Sequence, residues 1–146
     1  ARHLSHHRHV TVITNSLGIA NELADFPNLQ VVMPGGRLRR ETASLVGADG
    51  LDYIRQLNIQ KGFFGAHGVT SDEGLTDVSV EEAEVKRVLV GLCRQVVAVL
   101  DATKWGRVGV ASFAALDQID IIITDQDAPP DLVAQIQAAG VAVHLV

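Results

Sequence analysis

Ile119-Asp120-Ile121-Ile122-Ile123-Thr124-Asp125 is the stretch that decides the fold class of this chain. A run so rich in isoleucine, closed by a polar Thr-Asp pair, reads as a central strand buried on both faces, as parallel strands are. The residues after it complete a unit. Pro129-Pro130 opens a helix that runs to Ala139, since proline is accepted in a first helical turn. Gly140 caps that helix, and residues 141–145 supply the next strand. Two strands joined through a helix pair in parallel.

Working upstream, the same alternation repeats. Residues 96–100 form an apolar strand that ends at Asp101-Ala102-Thr103-Lys104. The helix before it starts at Ser79-Val80-Glu81-Glu82, a capping-box pattern, and buries Val85, Val88, Leu89 and Leu92. Residues 62–66 read as a strand, 65–74 as a long Gly/Ser/Asp loop, and 47–57 as a helix with Leu51, Ile54 and Leu57 on one face. Residues 29–33 are a strand stopped by Pro34-Gly35-Gly36, with a basic loop, Arg37-Leu38-Arg39-Arg40, beyond it. The β-branched residues 10–13 are another strand, followed by Thr14-Asn15-Ser16 and a helix over 17–24. Residues 108–111 supply a further short strand. The expected architecture is α/β: one open, mainly parallel sheet with helices on both faces, in a single domain spanning 1–146.

Composition agrees. The chain has 146 residues, of which 47% are hydrophobic and only 4% aromatic, so its core is built from Val, Leu, Ile and Ala. The net charge of −5 argues against direct contact with DNA, whose affinity for proteins comes mainly from Lys and Arg. A single cysteine, Cys93, precludes an internal disulfide and fits a reducing cytoplasm. Cys93 lies in an apolar helical stretch and reads as packing. No apolar run approaches the roughly 18–20 residues of a membrane span. The histidine-rich start has no acidic or cysteine partner nearby, so it reads as the end of a helix and a polar loop, with no metal or other cofactor expected.

In open α/β sheets ligands bind at the carboxyl ends of the strands, and the loops there carry the polar residues. Thr14, Asn15 and Ser16 place backbone N–H groups and hydroxyls at a helix start, suited to an anion, although a plain helix cap explains them as well. Gly35 and Gly36, and Gly65 and Gly68 around His67, allow backbone to approach a ligand, or serve simply as turns. Lys86 and Lys104 can act as point charges for a phosphate. Asp101, Glu82 and Asn15 can hydrogen-bond sugar hydroxyls, while Glu82 and Lys86, four residues apart, equally suit a helix surface pair. No catalytic residue is assigned.

The motifs in order say more. Val12-Ile13-Thr14-Asn15-Ser16, Pro34-Gly35-Gly36-Arg37-Leu38-Arg39-Arg40, Ser44-Leu45-Val46-Gly47 and Phe64-Gly65-Ala66-His67-Gly68-Val69 come first. Asp72-Glu73-Gly74-Leu75-Thr76-Asp77, Glu81-Glu82-Ala83-Glu84-Val85-Lys86, Asp101-Ala102-Thr103-Lys104 and the isoleucine strand follow. Together they resemble the C-terminal sensor domain of DeoR-type transcriptional repressors over nearly the whole chain. The resemblance implies a fold similar to ribose-5-phosphate isomerase and CoA transferases. It implies a homo-oligomeric bacterial repressor of carbohydrate metabolism, in which a phosphorylated sugar bound here alters DNA binding by an N-terminal helix-turn-helix domain. Ala1-Arg2-His3-Leu4 matches the tail of a helix in that pattern. An earlier strand with a Gly-Thr-Thr phosphate loop, and the helix-turn-helix domain itself, are therefore expected outside these residues, leaving an incomplete sensor domain here. An isomerase of the same fold is the alternative. The related isomerases carry aspartates in the loop where this chain has His67. A pure oligomerisation domain is the third reading.

Overall fold

The computed structural model describes residues 1–47 and 50–146. It divides into two compact units, Ala1–Ile54 and Arg55–Val146.

In the first unit a 3-10 helix, Arg2–His6, stands where the tail of a helix was expected. β1 (Val10–Ile13), α1 (Leu17–Ala24) and β2 (Leu29–Val32) follow as a strand-helix-strand unit. The two strands pair in parallel with Val12 opposite Val31. Arg2 joins the 3-10 helix to α1 through Glu22. β3 (Arg37–Arg39) and β4 (Ser44–Val46) then form an antiparallel hairpin, with Leu38 opposite Leu45. The expected basic loop is therefore largely a strand. Three-residue strands are too short for alternation to show. Their turn also lacks the glycine that usually marks a hairpin: Ala43 takes the left-handed conformation instead, at φ 48°. Of the helix expected over 47–57, the helical part is α2 (Leu51–Ile54), with both of those residues buried. Residues 48 and 49 of that expectation lie outside the described residues.

The second unit carries β5 (Ile59–Phe64), β6 (Gly68–Thr70), β7 (Gly74–Asp77), α3 (Val80–Leu92) and β8 (Cys93–Val99). β9 (Ala111–Ala114), β10 (Ile121–Thr124), α4 (Pro130–Ala138) and β11 (Ala142–Leu145) complete it. Its main sheet has the order β11-β10-β8-β5 and is parallel throughout. The α/β class and the isoleucine strand inside a parallel sheet are as the sequence implies. The antiparallel sheet β6-β7-β9 is not. The expected 65–74 loop contains the tight hairpin of β6 and β7, whose turn is held by the Thr70 hydroxyl accepting the Glu73 N–H at 3.1 Å. The strand expected at 108–111 lies slightly later, at β9. Cys93, expected in a helical stretch, instead opens β8 directly after the last residue of α3, and it is half-buried. An apolar run spanning such a junction carries no mark of where helix becomes strand. Burial pushes the Cys93 thiol up, which suits an inert packing residue.

One core cluster joins the layers of this unit. Phe64, Ala98 and Ile122 from the parallel sheet meet Val69, Leu75 and Phe113 from the antiparallel one, with Ala83, Val90 and Ile136 from the helices. Ile122 has no exposed surface. Ile122→Ala is expected to lower the free energy of unfolding by about 2–5 kcal/mol, read as a fall in the urea midpoint. Val146→Ala, at a position 73% exposed, is expected to stay within about 0.5 kcal/mol of the unaltered chain.

Candidate functional site

A parallel sheet puts all its carboxyl ends on one edge. Phe64 lies opposite Ala98, and Val99 opposite Ile123, so the segments after β5, β8 and β10 leave the sheet side by side. These segments hold Gly65, His67 and Gly68, then Asp101 and Lys104, then Asp125. Five of the seven expected ligand residues of the second unit are among them; the other two, Glu82 and Lys86, come from α3.

Lys86 reaches this edge. Its ammonium donates to the Gly65 carbonyl at 2.9 Å and to the Asp77 carboxylate at 2.5 Å. It also stands 5.0 Å from the centre of the Phe113 ring, within the range of a cation–π attraction. Asp77 is buried at the end of β7, and its other oxygen accepts the Val78 N–H at 2.8 Å. The i, i+4 spacing of Glu82 and Lys86 suggested a helix surface pair; instead Lys86 bridges two strand ends. Glu82 is itself buried in the first turn of α3, and its N–H donates to the Ser79 hydroxyl at 3.3 Å, the first half of the expected capping box. A carboxylate there also lies favourably in the field of the helix N-terminus.

The loop after β8 is held from within. The Asp101 carboxylate accepts from the Thr103 N–H at 2.9 Å and from the Thr103 hydroxyl. Lys104 stands 4.0 Å from the same carboxylate, and both side chains are partly exposed. From the next strand end Asp125 accepts the Ala102 N–H at 2.9 Å. Below the loop Trp105 is buried, and its indole N–H donates to Thr124 at 3.1 Å. The residue pairs Lys86–Asp77 and Lys104–Asp101 thus give the edge cations and carboxylates together.

The two glycines flanking His67 differ. A side chain at Gly68 would collide with the Arg107 carbonyl, so close packing of backbone explains it. Around Gly65 a Cβ would meet nothing within 4 Å, so this residue is open to approach. The His67 N–H donates to the Thr76 carbonyl at 2.9 Å.

In the first unit the expected residues have local partners. The Ser16 hydroxyl caps α1 through the Ile19 N–H, and the Thr14 hydroxyl accepts the Ser16 N–H. The Asn15 side chain donates to the Leu45 carbonyl at 3.2 Å, and the Leu17 N–H donates to the Ala43 carbonyl at 2.9 Å. These groups thereby tie α1 to the β3–β4 hairpin. Gly36 has φ 131°, and a Cβ there would sit 2.5 Å from the Val46 carbonyl oxygen. Gly35 packs closely against the backbone of Gly50.

Two surface hollows lie elsewhere in their units. One is lined by Ala1, Arg2, His3, Gly18, Ile19 and Glu22, the other by Arg55, Glu84, Arg87, Val88, Gly91 and Leu92. Neither includes an expected ligand residue. The sequence reading also left out Asp77 and Asp125 as site residues. Asp125 directly follows β10 at the carboxyl edge, a position that could have singled it out, whereas Asp77 ends β7 of the antiparallel sheet and is linked to the edge through Lys86.

With this geometry in place, the relatives are informative. Residues 1–126 match the family described as the DeoR C terminal sensor domain. The chain belongs to that family. Over 145 residues it is 37% identical to the HTH-type transcriptional regulator GolR of Listeria innocua, covering 99% of this chain and 57% of the relative. Over 130 residues it is 31% identical to the glycerol-3-phosphate regulon repressor of Escherichia coli, covering 89% of this chain and 51% of the relative. Over 131 residues it is 37% identical to the HTH-type transcriptional regulator GlpR of Haloferax volcanii, covering 90% and 51% respectively. The chain thus spans about half the length of these curated relatives. Among the described residues no helix is long and apolar enough to cross a membrane.

The Thr103 hydroxyl, with help from its N–H, holds the Asp101 carboxyl below the usual carboxylate range. The folded form therefore favours the ionised carboxylate. The stabilisation it gives is present above the ordinary carboxylate pKa and is lost as pH falls through the lowered value. In a carboxyl-carbon NMR titration, Thr103→Val is expected to move the Asp101 midpoint up toward the ordinary range. An unmoved midpoint would show that the hydroxyl is not the cause.

Proposed function

We propose that this chain is the effector-binding part of a DeoR-type transcriptional repressor of carbohydrate metabolism, and that its effector is a phosphorylated sugar or polyol. The observation that carries this reading is the carboxyl edge of the four-stranded sheet, where Lys86 lies against the unobstructed backbone of Gly65 and Lys104 stands beside Asp101. A phosphate needs cations and N–H donors, while sugar hydroxyls need acceptors such as Asp101 and Glu82. A ligand carrying both groups uses both kinds of side chain. The name of the Escherichia coli relative, a glycerol-3-phosphate regulon repressor, points to the same ligand chemistry.

The reading assigns regulation rather than catalysis, as the relatives are named regulators and repressors. With a net charge of −5 this part is a poor DNA ligand, so DNA contact falls to a helix-turn-helix domain of the full protein. The effector must then bind one arrangement of a cytoplasmic homo-oligomer more tightly than another, since equal affinity for both shifts nothing.

Trp105 is the only tryptophan and follows Lys104 directly, so its fluorescence is a natural reporter. Titration with sn-glycerol 3-phosphate and ribose 5-phosphate is expected to change that emission, whereas glycerol and ribose leave it unchanged. Lys104→Glu is expected to weaken binding at least about tenfold, or about 1.4 kcal/mol, with little change in melting temperature. Ribose 5-phosphate is expected to be recovered unisomerised. Equal responses to phosphorylated and unphosphorylated ligands would contradict the proposal, and turnover would favour an isomerase.

A further inference from the structure

Lys86 is an unusual cation for a helix surface. It projects from α3 yet has 24% of its side chain exposed, and it is held at two points by other elements. One holder is the Gly65 carbonyl, just past the end of β5; the other is the Asp77 carboxylate, the last residue of β7. An ammonium has three N–H donors. Two are taken by these partners, and the third makes no hydrogen bond to the protein among the described residues.

Asp77 is itself fixed. Its side chain is 7% exposed, its second oxygen accepts the Val78 N–H, and the backbone of Gly109 packs against its carbonyl. A buried carboxylate so immobilised sets the position of any cation paired with it. The Gly65 carbonyl is a neutral acceptor and cannot hold the ammonium as strongly, since it lacks the full opposite charge that attracts the ammonium to Asp77. A flexible four-carbon stem also has many rotamers, and most would carry the charge away from Gly65.

We propose that Asp77 is the positioning residue of the effector site: it holds Lys86 beside Gly65 so that the remaining N–H is ready for a ligand phosphate. This rests on the effector reading above and adds a residue and a role to it. Asp77 does not touch the ligand. It acts through Lys86, by restricting where that charge can be before the ligand arrives, which lowers the ordering cost of binding. The Phe113 ring and the Gly65 carbonyl complete the cradle.

The test uses Asp77→Asn, which keeps the shape and the acceptor for Val78 while removing the charge. Lys61, Lys86 and Lys104 are the only lysines, so an amine-directed acylating reagent with peptide mass spectrometry reads each separately. The proposal expects Lys86 labelling to rise several-fold in the Asp77→Asn chain, with Lys61 and Lys104 unchanged. Affinity for sn-glycerol 3-phosphate is expected to fall about tenfold. In a Lys86→Met background the same Asp77→Asn change is expected to cost no further affinity, a coupling that general loss of structure would not produce. If unaltered protein binds sn-glycerol 3-phosphate and Asp77→Asn binds it equally well, the positioning role is wrong and the effector reading stands. The role is equally overturned if Lys86 labelling does not change, or if the loss persists in the Lys86→Met background. Absence of binding by the unaltered chain overturns both.

Discussion

Four parallel strands cannot hydrogen-bond to one another without sending all their carboxyl ends to one edge. That constraint organises the second unit. It brings the segments after β5, β8 and β10 together although they are far apart in sequence, and it leaves them as loops whose side chains need not fill the core. The sheet can run this way because its strands are rich in Val, Ile and Ala, which pack under α3, α4 and the antiparallel layer. The loops then carry the charge that the core excludes. Lys104 and Asp101 pair there with both side chains partly exposed, which keeps desolvation small, whereas Lys86 pairs with a buried Asp77.

Residue type alone leaves a polar residue or glycine at a strand end ambiguous. Thr14, Asn15 and Ser16 have the chemistry of an anion site, but Ser16 caps α1, Asn15 bonds the β3–β4 hairpin and the Thr14 hydroxyl accepts the Ser16 N–H. Gly36 and Gly68 resemble ligand-approach glycines, but each is required by a neighbouring carbonyl. Gly65 is different because its surroundings are open. What a residue type permits and what its neighbours leave unused are separate questions, and the second is answered only by structure.

Much of the fold was nevertheless legible. The isoleucine run, the Pro-Pro helix start and the Ser79 cap place β10, α4 and α3 because each is a strong local signal. The antiparallel hairpins were hidden because their strands are three or four residues long, and one of them turns on an alanine rather than a glycine. The α3–β8 junction was hidden by continuous apolar sequence. At the candidate site, Lys86, Asp101 and Lys104 were expected as ligand residues by type and place, and the structure sets them in or against the segments at the carboxyl edge. Asp77 was seen as part of a motif but given no role, since its contact with Lys86 joins a strand end to a residue two turns along the next helix. Sequence spacing within a helix points to Glu82 as the neighbour of Lys86, and only the packing of α3 against the sheet reveals Asp77.

The central claim is that the carboxyl edge of the parallel sheet is where a phosphorylated effector binds. Its most direct test is an amide NMR map of the chain titrated with sn-glycerol 3-phosphate. The account predicts saturable shifts concentrated at residues 65–68, 77–86 and 101–105. Shifts concentrated instead around the hollow formed by Arg55, Glu84 and Arg87, or an unchanged spectrum at saturating ligand, would contradict it.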